Sequence, residues 1–291
     1  MSAFASQADL GRPTEPRRPA LNRRRPDVTT STLGLATCCV LAFLYGPIVT
    51  LIVFSFNSNP VTRLPLTEWT LDWYVKAFNN PELLAALGNS GIVAFAAVAI
   101  CIVIGVPTAF ALDRYDFPGK VIFRRLVILP ITLPGIITGV SMLGFFAMSG
   151  VPLSLWTVMI GHGTALTAIV VTNVFARLQR FDRRIEEASS DLGARPWQTF
   201  LRVTLPNIRS SIIGSSLIAF TLSFDEIPVT FFLTGRDNTL PMYIWSVVRR
   251  GITPEINAIG SVIIAVSLIL ILGAVFVMSE PGKNGRTRAG R

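Results

Sequence analysis

Apolar residues along this chain gather in long blocks, separated by segments rich in Arg, Pro, Asp and Asn. Six blocks, at about 33–56, 87–112, 122–149, 154–176, 211–233 and 258–279, reach the roughly 20 residues a helix needs to cross a bilayer core. In hydrocarbon a spanning segment must satisfy its own backbone amides, so each block predicts a transmembrane helix. The expected fold class is all-α, a polytopic membrane protein with six transmembrane helices. Around them the pattern predicts a mobile basic cytoplasmic tail at 1–32, a loop at 57–86 and a second tail at 280–291. The first span is too long for a signal peptide and has no clear small-residue cleavage site, so it reads as an uncleaved anchor.

Composition agrees with the pattern. Hydrophobic residues make up 51% of the 291 and charged residues only 15%, against about 25% in soluble domains. That excludes an ordinary cytosolic enzyme, a disordered protein and a secreted module. The net charge of +9 has a particular placement. Of 26 Lys and Arg, six lie in the N-terminal tail, four in and beside the 113–121 loop, seven in 177–210 and four in the C-terminal tail. The other two long loops share five: Arg63, Lys76, Arg236, Arg249 and Arg250. The rich and poor segments alternate as six crossings require, so the positive-inside rule puts both termini and the 177–210 loop in the cytoplasm. The basic balance reports topology, and no nucleic-acid partner is expected. Cys38, Cys39 and Cys101 fall inside spans and read as small packing residues.

Two spans carry residues that disturb helices. The third contains Pro130, Pro134, Gly135, Gly139 and Gly144. Its prolines favour a kink, and Gly135-x-x-x-Gly139 allows another helix to approach closely. Bundle packing and a moving, pathway-lining helix both fit. The fourth span holds the only histidine, His162, which cannot make a metal site alone and reads as a structural hydrogen-bonding group or, less readily, as a proton- or substrate-handling one. In the fifth, Gly214, Thr221 and Asp225 fall within about 20° of one helical line, and Ser216, Ser223 and Thr230 follow a second. Adjacent carboxylates at Asp225 and Glu226 are costly in lipid, about 2.5–3.5 kcal/mol for one at the bilayer centre. Either they line a cation-attracting pathway with Ser223 and Thr221, or they lie at the outer interface paired with Arg236, Arg249 or Arg250.

The 177–210 loop has the most specific pattern. Ile185, Ala188 and Leu192 recur at spacings of three and four, predicting a short amphipathic helix over 183–192. Gly193 suits the left-handed residue that ends it, and Pro196 the first turn of a second helix carrying Trp197, Phe200 and Leu201. A knob with an apolar stripe outside the membrane needs a surface to bury it, either the membrane surface or a partner.

Glu187-Ala188-Ser189, three residues, Gly193, nine residues, Val203-Thr204-Leu205-Pro206 resembles the EAA loop of ABC importer permeases, whose pattern is Glu-Ala-Ala, Gly and Ile-x-Leu-Pro at that spacing. Ser189 and Val203 are the departures, both conservative in shape. The resemblance implies the type I ABC importer (MetI-like) permease fold, with Glu186, Glu187, Ala188, Ser189, Gly193 and Pro206 coupling the chain to an ATPase. Helix 185–192 would enter a groove of that subunit, with Glu187 as the charged contact and Gly193 as the bend. Trp73-Tyr74, Phe78-Asn79-Asn80-Pro81-Glu82-Leu83, Leu87-Gly88-Asn89-Ser90, Phe224-Asp225-Glu226 and Pro254-Glu255-Ile256-Asn257-Ala258 are similar to permeases of the spermidine/putrescine type. That family implies two ATPase subunits, a second homologous permease and a periplasmic substrate-binding protein, in a bacterial inner membrane.

The chain has no Gly-x-x-x-x-Gly-Lys-Ser/Thr phosphate loop, so ATP and Mg are expected on the partner ATPase, with no cofactor, metal or catalytic residue here. An ion-coupled secondary transporter for a small cation is the first alternative, since broken helices and intramembrane acids suit ion coupling. It leaves the EAA-like loop unexplained. An intramembrane serine protease is the second, but Ser215 lacks the second flanking glycine of such enzymes and His162 lies elsewhere in the sequence.

Overall fold

The structure, a computed structural model, describes residues 28–59, 65–66, 68–251 and 254–278. Most of the basic tail expected at 1–32, and all of the tail at 280–291, lie outside them. The chain divides into two compact units, Met1–Thr50 and Leu51–Arg291. Helix α1 (Val28–Phe54) supplies the described part of the first unit. It begins before the expected start at Leu33 and is apolar enough to cross a membrane from Thr32 to Ser55.

The second unit is built from α2 (Asp72–Phe78), α3 (Pro81–Arg114), α4 (Lys120–Thr132), α5 (Gly135–Met148) and α6 (Leu155–Gln179). There follow α7 (Arg184–Asp191), α8 (Pro196–Thr199), a π-helical turn at Phe200–Thr204, α9 (Leu205–Phe224), α10 (Pro228–Leu233), α11 (Leu240–Arg250) and α12 (Pro254–Met278). Among the described residues three helices, α1, α3 and α6, are each long and apolar enough to span a membrane, and α4 with α5 pass that test together. The polar first half of α9 keeps it outside that count, and the sequence of α12 is apolar from Ala258 to Met278.

Two expected spans are broken. The third is two helices meeting at 108° rather than one kinked helix. Leu133, held extended at φ −84 and ψ 140 by the proline after it, ends α4, and Pro134 caps α5. The fifth stops at Phe224 and restarts at Pro228, whose missing N–H cannot bond the Phe224 carbonyl. The line through Gly214, Thr221 and Asp225 survives, because the Asp225 N–H still reaches the Thr221 carbonyl at 3.2 Å. The line through Ser216, Ser223 and Thr230 does not continue as one helix.

Three apolar clusters hold the unit together. The first packs Cys101, Val106, Ala109 and Leu112 of α3 on Val170, Val171, Val174 and Leu178 of α6 and Ile208 of α9. A second joins Val93, Phe146, Val158, Met159, Val229 and Leu233, drawn from α3, α5, α6 and α10. The third, at the opposite end of α3, gathers α2, α11 and α12 around Ala77, Leu83, Leu240, Tyr243 and Ile259. Lipid is as apolar as these side chains, so the clusters bind the helices by close van der Waals packing rather than by removal of apolar surface from water. Their arrangement leaves the 183–206 loop at one end of α3 and α6, and the α9–α10 break along their length.

Candidate functional site

The loop's geometry follows from its turn residues. Gly193 takes φ 83, which only glycine adopts without strain. Its N–H bonds the Ser190 carbonyl at 2.8 Å and the Ala194 N–H the Ser189 carbonyl at 3.2 Å. These are the paired bonds of a Schellman end to α7. Pro196 opens α8, whose entry is fixed by Gln198 Oε1 accepting the Arg195 N–H at 2.8 Å. Ser189 Oγ and Thr199 Oγ1, 3.1 Å apart, tie the two helices. The serine in place of the usual alanine therefore adds a bond as well as keeping a shape.

Pro206 explains the π turn. Lacking an N–H, it cannot bond the Arg202 carbonyl, and its ring crowds that carbonyl. The chain widens, and the Leu205 N–H reaches back to the Phe200 carbonyl instead. Thr204, turned inward by the wider turn, is 2% exposed and donates to Glu186 Oε1 at 2.5 Å. Glu186 also accepts from Arg114 Nη2 at 2.9 Å.

The outer side of the knob is uncovered. Glu187 and Ala188 are exposed, as are Ile185, Leu192 (90%), Trp197 and Leu201. An open recess of about 590 Å³ runs between α7 and the π turn, lined by Ile185, Ala188, Leu192, Ala194, Gln198 and Val203. Among the described residues Glu187 has no ion pair. The exposed apolar side chains thus lie beside an unpaired carboxylate on one side of the knob.

At the α9–α10 break the two acids differ. Asp225 is exposed at the C-terminal end of α9, and Thr221 is exposed one turn earlier. Glu226 is half-buried, and its Oε1 accepts the Val229 N–H at 3.1 Å, capping α10. Among the described residues neither acid forms an ion pair, so the expected alternative partners Arg236, Arg249 and Arg250 do not hold them. Arg249 instead lies over the Trp245 ring at 5.0 Å. Ser223 is buried and faces His162: its Oγ is 2.8 Å from Nδ1, while Nε2 is 2.9 Å from Thr230 Oγ1. The Thr230 hydroxyl spends its proton on the Glu226 carbonyl at 2.9 Å. His162 Nε2 therefore carries the hydrogen, and Nδ1 accepts from Ser223. His162 is a structural staple across the break, as its isolation in the sequence suggested. Ser215 bonds the Ile212 carbonyl and not His162.

Gly135 and Gly139 admit α10. A Cβ on Gly139 would stand 2.8 Å from Phe232 Cδ2 and 3.1 Å from the Pro228 carbonyl oxygen. One on Gly135 would stand 3.1 Å from Glu226 Oε1. The close approach expected from their spacing is made by the half-helix that follows the acids. Sequence reasoning did not find the partners of Glu186, because Arg114 lies in α3 and Thr204 is turned inward by the π turn, neither with a local signal.

Comparison with known proteins places this geometry in a family. The spermidine/putrescine transport system permease protein PotC of Haemophilus influenzae is 35% identical over 234 residues, 80% of this chain and 91% of that protein. The putrescine transport system permease protein PotI of Escherichia coli is 36% identical over 244 residues, 81% of this chain and 84% of that one. A chain in the crystal structure of a bacterial alginate ABC transporter, complexed with an alginate-bound periplasmic protein, matches with TM-score 0.67 at 16% identity. That match covers 87% of this chain and 93% of that one, and shows the shared permease fold. With residues 101–279 matching the family model as well, the chain belongs to the binding-protein-dependent transport system inner membrane components.

Proposed function

We propose that this chain is one permease subunit of an ATP-driven ABC importer for a polyamine, putrescine, spermidine or a related small amine. It supplies half of the translocation path, and a second homologous permease supplies the other half. Two ATPase subunits, holding ATP and Mg, dock on the 183–206 knob, and a periplasmic binding protein delivers the amine. Both termini and the knob face the cytoplasm, as the placement of Lys and Arg favours. The observation that carries the reading is the knob itself. Helix α7, stopped by Gly193 in a left-handed turn, presents Glu187 and an apolar stripe that no described residue of its own chain covers.

Glu187, Ala188, Leu192 and Trp197 form the contact with the ATPase, while Glu186, Ser189 and Pro206 shape the loop from within. Asp225, exposed at the negative end of the α9 dipole, attracts the cationic cargo, with Thr221 on the same side. Glu226 and Ser223 hold the break in shape, and the Glu226 carboxylate adds its charge to the attraction. The names of the relatives support the amine as cargo.

The test is reconstitution of the chain with its ATPase, second permease and binding protein in liposomes. Labelled putrescine or spermidine should accumulate only with internal ATP and loaded binding protein. Accumulation driven by an ion gradient without ATP would instead establish the secondary-transporter alternative.

A further inference from the structure

A charge cluster ties the 183–206 loop to the ends of α3 and α6. Asp113, next to last in α3, has a side chain only 1% exposed. Its Oδ1 accepts from Gln179 Nε2 of α6 at 2.6 Å, and its Oδ2 lies 3.2 Å from Arg183 Nη2 and 3.3 Å from Arg114 Nε. Arg183 Nη2 also donates to the Asp113 carbonyl at 3.0 Å. Arg114 continues to Glu186 of α7, whose Oε2 lies 2.8 Å away, and Glu186 takes the Thr204 hydroxyl of the π turn. Two carboxylates and two guanidiniums thus join the ends of α3 and α6 to α7 and the start of the fifth span, with their formal charges balanced. The nearby Asp116 is exposed and paired with Lys120 at 2.9 Å, so it stays outside the cluster.

We propose that Asp113, Arg114, Arg183 and Glu186 form a clamp that makes α7 move as one body with α3 and α6, so that displacement of the docked knob is delivered to the transmembrane helices. The proposal rests on the reading of the knob as the ATPase contact. Three features of the cluster support it. A buried carboxylate shared by two guanidiniums is costly to break one partner at a time, so the joint is stiff. The ties run to elements on both sides of α7, which leaves no hinge between knob and bundle. Glu186 is turned away from the exposed face that carries Glu187, so the clamp and the dock are separate.

These residues position the knob and touch no cargo, so the readout is amine imported per ATP hydrolysed by the reconstituted full complex. Glu186→Gln and Asp113→Asn keep side-chain shape and remove one charge each. Each should retain ATPase co-purification and basal hydrolysis while amine per ATP falls at least about fivefold, the low end of typical coupling between sites. The double variant should fall no further than the weaker single one, because the clamp acts as a unit. Spin labels at Tyr115→Cys and Ser190→Cys, with the native cysteines replaced, should keep one narrow separation with and without ATP. In Glu186→Gln that separation should broaden. A separation that changes with ATP in the parent chain, an unchanged ratio in both variants, or loss of ATPase binding in Glu186→Gln would each overturn the clamp. If the unmutated complex binds its ATPase but imports no amine, the polyamine reading fails, and the label separation still decides the clamp.

Discussion

Glu186 and Glu187 are neighbours in the chain and face different surroundings. Glu186 is half-buried, held by Arg114 at 2.8 Å and by Thr204, whereas Glu187 is exposed and has no ion pair among the described residues. One helical step of about 100° separates a residue that belongs to the fold from one that belongs to a partner.

That division predicts different failures. Glu187→Arg should leave the protein inserted and folded, with thermal stability in detergent close to the parent's, because an exposed side chain is exchanged. Co-purification of the ATPase should drop, or hydrolysis should stop responding to loaded binding protein. Normal association and normal stimulation would remove Glu187 from the docking face.

Gly193→Val tests the turn rather than the charge. A β-branched residue at φ 83 costs about 1–3 kcal/mol and pushes α7 out of its Schellman end. Transport should be lost with membrane insertion intact, and hydrogen exchange at the 189–194 amides should rise. Unchanged exchange and full transport would show that the turn tolerates a side chain.

How much of this was legible depends on where each signal resides. Helix α7, its glycine stop and the proline start of α8 are written locally, in apolar spacing and two special backbones, and the sequence sufficed for them. The prolines at 134 and 228 announce interruptions, but neither the 108° angle between α4 and α5 nor the seating of α10 on Gly135 and Gly139 is written locally. The Arg114–Glu186 pair joins residues 72 apart and left no local trace. Helix α11 was missed although its signals were present: Pro241 in the first turn and Arg249 and Arg250 in the last. Six long apolar blocks drew attention away from a short amphipathic helix between two of them.

The seating of α10 is itself testable. Gly139→Val must displace Phe232 and the Pro228 carbonyl, an overpacking that typically costs about 1–3 kcal/mol. Thermal unfolding in detergent should shift down accordingly. Gly144→Val, at a glycine with open space around it, is the matched control and should change little. Equal shifts in the two variants would mean that close packing on α10 is not what Gly139 serves.

Topology can be checked with the same chain. Thr204 is buried, so accessibility labels belong at Ser190 and Asn238, both exposed. With Cys38, Cys39 and Cys101 replaced, Ser190→Cys should react only with a reagent admitted to the cytoplasm, and Asn238→Cys only with one outside. The reverse pattern would overturn the orientation drawn from Lys and Arg placement.

The acids at the break give the last prediction, and the structure separates what the sequence could only pair. Asp225 is exposed beyond the last turn of α9, where the helix carbonyls add negative potential. Glu226 instead spends an oxygen on the Val229 N–H and packs against Gly135. Removing charge at Asp225 should therefore act on the cargo and not on the fold. An exposed ion pair contributes at most about 1 kcal/mol, so Asp225→Asn should raise the concentration for half-maximal putrescine uptake roughly fivefold. Thermal stability should not move. Glu226→Gln keeps an oxygen for the cap and should also lower uptake without unfolding, whereas Glu226→Ala loses the cap and about 0.5–2 kcal/mol of stability. If Asp225→Asn, Glu226→Gln and their double variant all import putrescine with parental kinetics, the acids serve only the break, and cation attraction at this position is wrong.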